Sequence, residues 1–154
     1  MTATPRYLLA ISSPIGPLTL EADATHLTAL HFGNHGGEDS TPLLRKAKEQ
    51  LDAYFSGDLH TFTLPLAFHG TAFQNRVWST LCEIPYGTTI AYRDLAQRVN
   101  CPKGFQAVGT ANGRNPLPIV VPCHRVIAHN GGLGGYSLGL SVKSFLLDLE
   151  KRHT

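Results

Sequence analysis

Residues 115 to 127 read Asn-Pro-Leu-Pro-Ile-Val-Val-Pro-Cys-His-Arg-Val-Ile, and this stretch constrains the chain more than any other. Proline fixes φ and has no N–H to offer a ladder. Pro122 therefore ends the apolar run Ile119-Val120-Val121 and sets the direction in which Cys123 leaves it. Such rigid support suits a side chain whose position matters. An unpaired cysteine is most often a small buried apolar group, for instance at a strand end. His124 and Arg125 are polar neighbours that a fully buried cysteine rarely has. From this stretch alone, a structural cysteine and a reactive thiol both stay open.

A chain of 154 residues allows one domain or two small lobes. Its 42% hydrophobic content without low-complexity runs is that of a soluble globular protein. The N-terminal twenty residues carry Pro5, Pro14 and Pro17 and no long apolar run, so neither a secretory signal nor a membrane span is expected. Three widely spaced cysteines (Cys82, Cys101, Cys123) argue against a disulfide framework and for a reducing, cytoplasmic compartment. No CxxC, HExxH or Cys/His cluster is present, so no metal is expected. Charge is divided unevenly. Residues 1–68 hold four Lys/Arg against seven Asp/Glu, a net −3, and residues 69–154 hold nine against four, a net +5. That division suits an anionic partner for the second part, or simply an unevenly decorated surface.

The pattern predicts an N-terminal α/β lobe over 1–68 and a second lobe over 69–154. Tyr7–Ser12, Gly16–Glu21 and Leu27–Phe32 read as three strands, and Phe62–Leu66 as a fourth. Between them, Ser40 or Thr41 can cap a helix with Pro42 in its first turn. Leu44, Ala47, Leu51, Tyr54 and Phe55 then follow at helical spacing until Gly57. The histidines His26, His31, His35, His60 and, at the boundary, His69 are scattered and read as structural or solvent-facing.

The second lobe reads as mostly helical. Thr71 with Gln74 has the capping-box form, and Phe73, Val77 and Leu81 make an apolar stripe that ends before Pro85. Tyr92, Leu95, Ala96 and Val99 give a short amphipathic helix. After the turn Asn100-Cys101-Pro102, a further helix spans roughly Lys103 to Ala111 and is closed by Asn112-Gly113. Two short helices joined by a tight turn, the second bearing Ala107, Gly109, Thr110 and Ala111, match a helix-turn-helix or an ordinary packed pair. The loop Asn130–Gly135 is glycine-rich but lacks the strand-to-helix context of a phosphate loop. A last helix begins near Ser141 and turns Val142, Phe145, Leu146 and Leu149 inward. Glu150, near its end, reads most simply as solvated.

The ordered set Ile84-Pro85-Tyr86-Gly87, Tyr92 with Leu95-Ala96, Ala107-Val108-Gly109, Asn115-Pro116, Pro122-Cys123-His124-Arg125-Val126, Gly135-Tyr136-Ser137 and Lys143 with Leu146-Leu147 and Glu150 resembles the O6-alkylguanine-DNA alkyltransferases. The likeness covers roughly 71–152 in order and 5–66 more loosely. It implies an α+β fold, with a ribonuclease H-like N-terminal sheet lobe carrying a helix. This lobe is joined to a mostly helical lobe holding the helix-turn-helix and the active-site loop. It implies transfer of the alkyl group from O6-alkylguanine, and from O4-alkylthymine, to Cys123 as an irreversible thioether, without a cofactor.

By the same resemblance His124 activates the thiol through a water, and Glu150 orients the imidazole. Tyr92 serves the ring nitrogen N3, Ser137 serves O6, and Asn115 locks the turn. The carbonyls of Cys123 and Val126 read the exocyclic amine. Ala107, Gly109, Thr110, Arg114, Arg125, Tyr136 and Lys143 join the substrate- and DNA-binding set. The implied partner is alkylated double-stranded DNA, entered from the minor groove with the base flipped out and bound by a monomer.

Two positions depart from the family pattern. Gln106 stands where an arginine usually fills the vacated stack, which predicts weaker duplex affinity, with Lys103 and Arg114 supplying phosphate attraction. Leu138 stands where glycine is usual and is expected to restrict bulky adducts. The rival readings are a sensor that binds alkylated guanine without removing the group, a helix-turn-helix regulator and a cysteine hydrolase. Sensors of this type lack the cysteine, which this chain has. The hydrolase lacks an evident oxyanion site.

Overall fold

The computed structural model describes residues 5–128, 132–136 and 138–154. Ser137 and the Asn130-Gly131 part of the glycine-rich loop lie outside the described residues. The chain is α+β and divides into two units, one ending at Ala67 and the other beginning at Phe68.

In the first unit, β1 (Tyr7–Ile11), β2 (Leu18–Ala22) and β3 (Leu27–Phe32) form an antiparallel meander. Leu9 faces Leu20 and Leu20 faces Leu30, with a register shift at Glu21/Ala22. Helix α1 (Pro42–Phe55) starts where Thr41 accepts the Leu44 N–H at 3.2 Å and Pro42 supplies a preset φ. Its buried face, Leu44, Ala47, Leu51 and Tyr54, packs on β1 and β2.

The strand expected at Phe62–Leu66 does not form. The segment makes a single bridge, Leu66 beside Leu27. Pro65 has no N–H, and the Thr63 N–H goes to the Gln50 side chain of α1 at 2.9 Å. Backbone pairing is confined to this bridge, with the Leu27 N–H on the Pro65 carbonyl at 2.8 Å and the Ala67 N–H on the Leu27 carbonyl at 3.1 Å.

In the second unit, α2 (Ala72–Leu81) opens with the reciprocal capping box of Thr71 and Gln74. Residues Ile90–Ala91 (β4) pair in parallel with Val126–Ile127 (β5), and α3 (Tyr92–Arg98) follows β4 directly. The α3 C-terminus closes as a Schellman turn. Asn100 takes φ +62°, its N–H reaches the Gln97 carbonyl at 3.0 Å, and the Cys101 N–H reaches Ala96 at 2.8 Å. Helix α4 (Phe105–Gly113) then leaves across this turn and buries Val108, Ala111 and Asn112.

Trp78 of α2 fixes the position of α4 by donating its indole N–H to the Ala111 carbonyl at 2.8 Å, inside the core. Helix α5 (Leu140–Arg152) closes the unit and buries Val142, Lys143, Leu146, Leu149 and Glu150. Two of these five residues are charged, and Glu150 is buried although Asp148, Lys151 and Arg152 around it are exposed. Phe145, expected inward, is only half-buried.

Replacing Trp78 by Phe keeps most of the packing but removes the indole bond, leaving the Ala111 carbonyl with the Arg114 N–H alone at 3.1 Å. We expect a loss of about 0.5–1.5 kcal/mol in urea unfolding. An unchanged midpoint would mean that the indole bond does not hold α4.

Candidate active site

The segment before Cys123 is a braced turn. Asn115 grips it twice, accepting the Leu117 N–H at 2.9 Å and donating to the Val121 carbonyl at 2.8 Å. Ile119 is forced to φ +78°, a region a β-branched residue avoids, and is held there by full burial. The apolar run is therefore a tight turn and not an extended strand. Its product is a single 3₁₀ turn, Cys123–Arg125, set by the Cys123 N–H on Val121 at 2.8 Å and the Arg125 N–H on Pro122 at 3.0 Å.

Adjacent residues on this turn diverge into different surroundings. His124, fully buried, places Nε2 2.6 Å from Glu150 Oε2. Arg125 donates Nε to Oε1 at 2.8 Å and Nη2 to Oε2 at 3.0 Å of the same carboxylate, and Nη1 to the Ile84 carbonyl at 2.7 Å. The Gly87 N–H adds a bond to Oε1 at 3.2 Å. The guanidinium also lies 5.6 Å from the Tyr86 ring centre. The Ile84–Gly87 stretch thus supplies a carbonyl, a ring and an N–H to one buried ion pair.

These bonds hold the Glu150 carboxyl far below the usual range despite its burial. An ionised carboxylate only accepts, so His124 Nε2 carries the proton. Burial pushes the imidazole below its ordinary value, which keeps it neutral and leaves Nδ1 with its lone pair. Nδ1 is buried without a hydrogen-bond partner among the described residues.

Cys123 is 1% exposed and borders a pocket of about 140 Å³ whose other walls include Tyr92, Gly109, Asn112 and Tyr136. Desolvation pushes its thiol up to about 11, against smaller lowering contributions from Asn115 and Lys143. The resting sulfur is therefore neutral. Burial also raises the Tyr92 and Tyr136 phenols, so both keep their protons and can donate. Lys143 is fully buried with Nζ on the Val126 carbonyl at 2.7 Å and the Gly135 carbonyl at 3.1 Å, and desolvation pulls it down to about 8. Among the described residues, no group of three His, Cys, Asp or Glu is placed to hold a metal ion.

Two family profiles match in tandem. The one described as 6-O-methylguanine DNA methyltransferase, ribonuclease-like domain, covers residues 7–68, and the DNA binding domain of the same name covers residues 72–152. The chain belongs to the 6-O-methylguanine DNA methyltransferase family. The methylated-DNA–protein-cysteine methyltransferase of Methanosarcina barkeri is 46% identical, over 96% of this chain and 98% of its own. That of Mycobacterium tuberculosis is 47% identical over 92% and 90%. The crystal structure of Mycobacterium tuberculosis OGT in complex with DNA superposes with a TM-score of 0.88 at 43% identity, covering 96% and 94%.

Within this chain, the residues picked from the sequence fall into two sets. Cys123, Tyr92, Gly109 and Tyr136 meet at the pocket, with Asn115, His124 and Glu150 bracing or backing it. Gln106, Ala107, Thr110 and Arg114 lie exposed on α4 and at its end, and Gly109 has open space where a Cβ would stand.

Arg125 and Lys143 require correction. Both were expected among the DNA- and substrate-facing groups, but both are buried, with their N–H groups committed to Glu150, Ile84, Val126 and Gly135. Val126 is buried too, and its carbonyl already accepts from Lys143. Leu138 is half-buried and is not among the described residues lining the pocket.

Asn112 was read only as a helix stop. It lines the pocket and its Nδ2 lies 3.5 Å from the Cys123 carbonyl. The available signal was its place in the set Val108, Ala111 and Asn112, the i, i+3, i+4 spacing of a buried face.

Glu150 and His124 set an acid limit on stability. Both groups have folded-state values below their unfolded ones, so the unfolded chain binds more protons as pH falls. Stability is full above about pH 6.5 and declines first through His124, then below about pH 4.5 through Glu150. Glu150→Gln should cost about 3–5 kcal/mol at neutral pH, because Arg125 stays buried without its counter-charge. The variant should also lose most of the decline below pH 4.5. Urea midpoints from pH 8 to 4 read both effects, and a parallel pH profile in the variant would contradict the assignment.

Proposed function

We propose that this chain is a single-turnover DNA repair protein that moves the alkyl group of O6-alkylguanine, and of O4-alkylthymine, onto its own Cys123. The observation that carries the proposal is the arrangement behind the pocket. A soft nucleophile borders a small cavity, and the next residue is a neutral imidazole whose proton is pinned on Nε2 by an ionised carboxylate. Family membership and the DNA complex of the Mycobacterium tuberculosis relative support the same reading.

In the proposed step, His124 Nδ1 takes the thiol proton through one water, and the sulfur attacks the alkyl carbon at O6. The S–C bond forms as the C–O bond breaks, and guanine leaves as an anion that recovers one proton. Tyr92 donates toward N3 and Ser137 toward O6, lowering the charge on the leaving group. A thiol with a pKa near 11 is almost wholly protonated at neutral pH, so it needs this base at the moment of attack. A thioether offers no leaving path, so each molecule acts once. The site uses no cofactor. The described cysteines are free, which fits action in the reducing cytoplasm.

A base within a duplex cannot reach a buried sulfur, so the target is flipped out while the exposed face of α4 lies in the minor groove of a duplex bound by a monomer. Gln106 wedges into the vacated stack without adding a cation. The alternative of a non-transferring sensor is disfavoured by Cys123 itself.

Incubation with an oligonucleotide carrying O6-methylguanine should add about one methylene mass to the intact protein, localised to Cys123 and absent in Cys123→Ala. A tight complex with no mass gain would turn the reading to the sensor. Gln106→Arg should tighten duplex binding and steepen the salt dependence by about one unit in the log–log plot. If neither changes, the account of Gln106 is wrong.

A further inference from the structure

Three large apolar side chains stand exposed among the described residues: Phe32, Phe105 and Leu140. Of these, Phe105 alone lies on α4, at its first residue and directly before Gln106. It is 53% exposed, so the core does not account for an aromatic there. Beside it lies a hollow of about 470 Å³ with apolar walls formed by Phe105, Tyr92, Ala128 and the stem of Arg93. Tyr92 is also a wall of the Cys123 pocket, so the two spaces are neighbours across one ring.

We propose that Phe105 is a stacking platform for the nucleobase adjacent to the target nucleotide on the same strand. The inference rests on the DNA-repair reading above. With the target base in the Cys123 pocket, the strand continues past Tyr92, and its next base meets the hollow. An apolar slot with an aromatic wall suits the π-face of any base, and exposed Arg93 at the rim suits the intervening phosphate. Stacking does not depend on counterion release. It therefore supplies a salt-insensitive grip next to the one position, Gln106, where this chain lacks the family's cation.

The test uses the full chain. Binding is measured with Cys123→Ala, alone and combined with Phe105→Ala or Phe105→Trp, on duplexes carrying O6-methylguanine with 2-aminopurine on either side of it. Phe105→Ala should weaken binding roughly tenfold at an unchanged salt slope, and Phe105→Trp should restore it. On one side only, 2-aminopurine should be quenched in the Phe105 complex and brighter in the alanine variant. In the Cys123 background, Phe105→Ala should slow transfer from subsaturating duplex by a similar factor and leave reaction with free O6-benzylguanine base within twofold.

Equal duplex affinity, or a change confined to the salt slope, overturns the platform. Slowing of free O6-benzylguanine with normal transfer from methylated duplex also overturns it, and assigns the hollow to bulky adducts. These results are separable from failure of the repair reading, in which the unaltered chain gains no mass on Cys123.

Discussion

The carboxylate of Glu150 is the point on which the second unit depends. It accepts from His124, twice from Arg125 and from the Gly87 N–H, so elements far apart in sequence end at two oxygen atoms. A buried charge is tolerated only when paired and fully bonded, and these four donors satisfy that condition. The same bonds give the site its chemical polarity. Because Glu150 stays ionised, the imidazole proton sits on Nε2, and Nδ1, buried without a partner among the described residues, keeps its lone pair.

The surroundings of Cys123 work against the thiolate. Burial that raises the thiol to about 11 also protects it from solvent oxidants and from forming mixed disulfides. Reactivity is then conditional on a base and on a substrate that fills the pocket. Raised phenols at Tyr92 and Tyr136 keep their protons at the pocket wall, as the proposed donation from Tyr92 to the leaving group requires. The exposed α4 face is built differently. Its residues are small or uncharged from Ala107 to Gly113, and the flanking cations, Lys103 and Arg114, are exposed.

Local signals were legible where the chain meets its own near neighbours. The capping box at Thr71, the Thr41 cap, the α1 stripe and the α3–α4 turn all follow from residues within one or two turns of each other. The fourth strand at Phe62–Leu66 was misread because the partner that satisfies its N–H is a glutamine on α1, thirteen residues upstream. Phe145 shows a milder form of the same error, since a helical stripe says which side is apolar but not how far coverage extends. Arg125 and Lys143 were misplaced because a cation in a basic lobe reads as surface until its counter-charge or its carbonyls are seen.

The sequence by itself determined the order of motifs, the two-part charge division and the presentation of Cys123 on a proline-bound segment. These rest on backbone restriction and side-chain periodicity, which act over a few residues. Only the tertiary structure decided that Glu150 is buried, that His124 faces it through Nε2 and that Arg125 is structural. It also placed Phe105 and Asn112 beside the reactive pocket. The bonds around Glu150, Arg125 and Asn112 join groups 11 to 63 residues apart, and no local pattern encodes which distant partner offsets the cost of burying them.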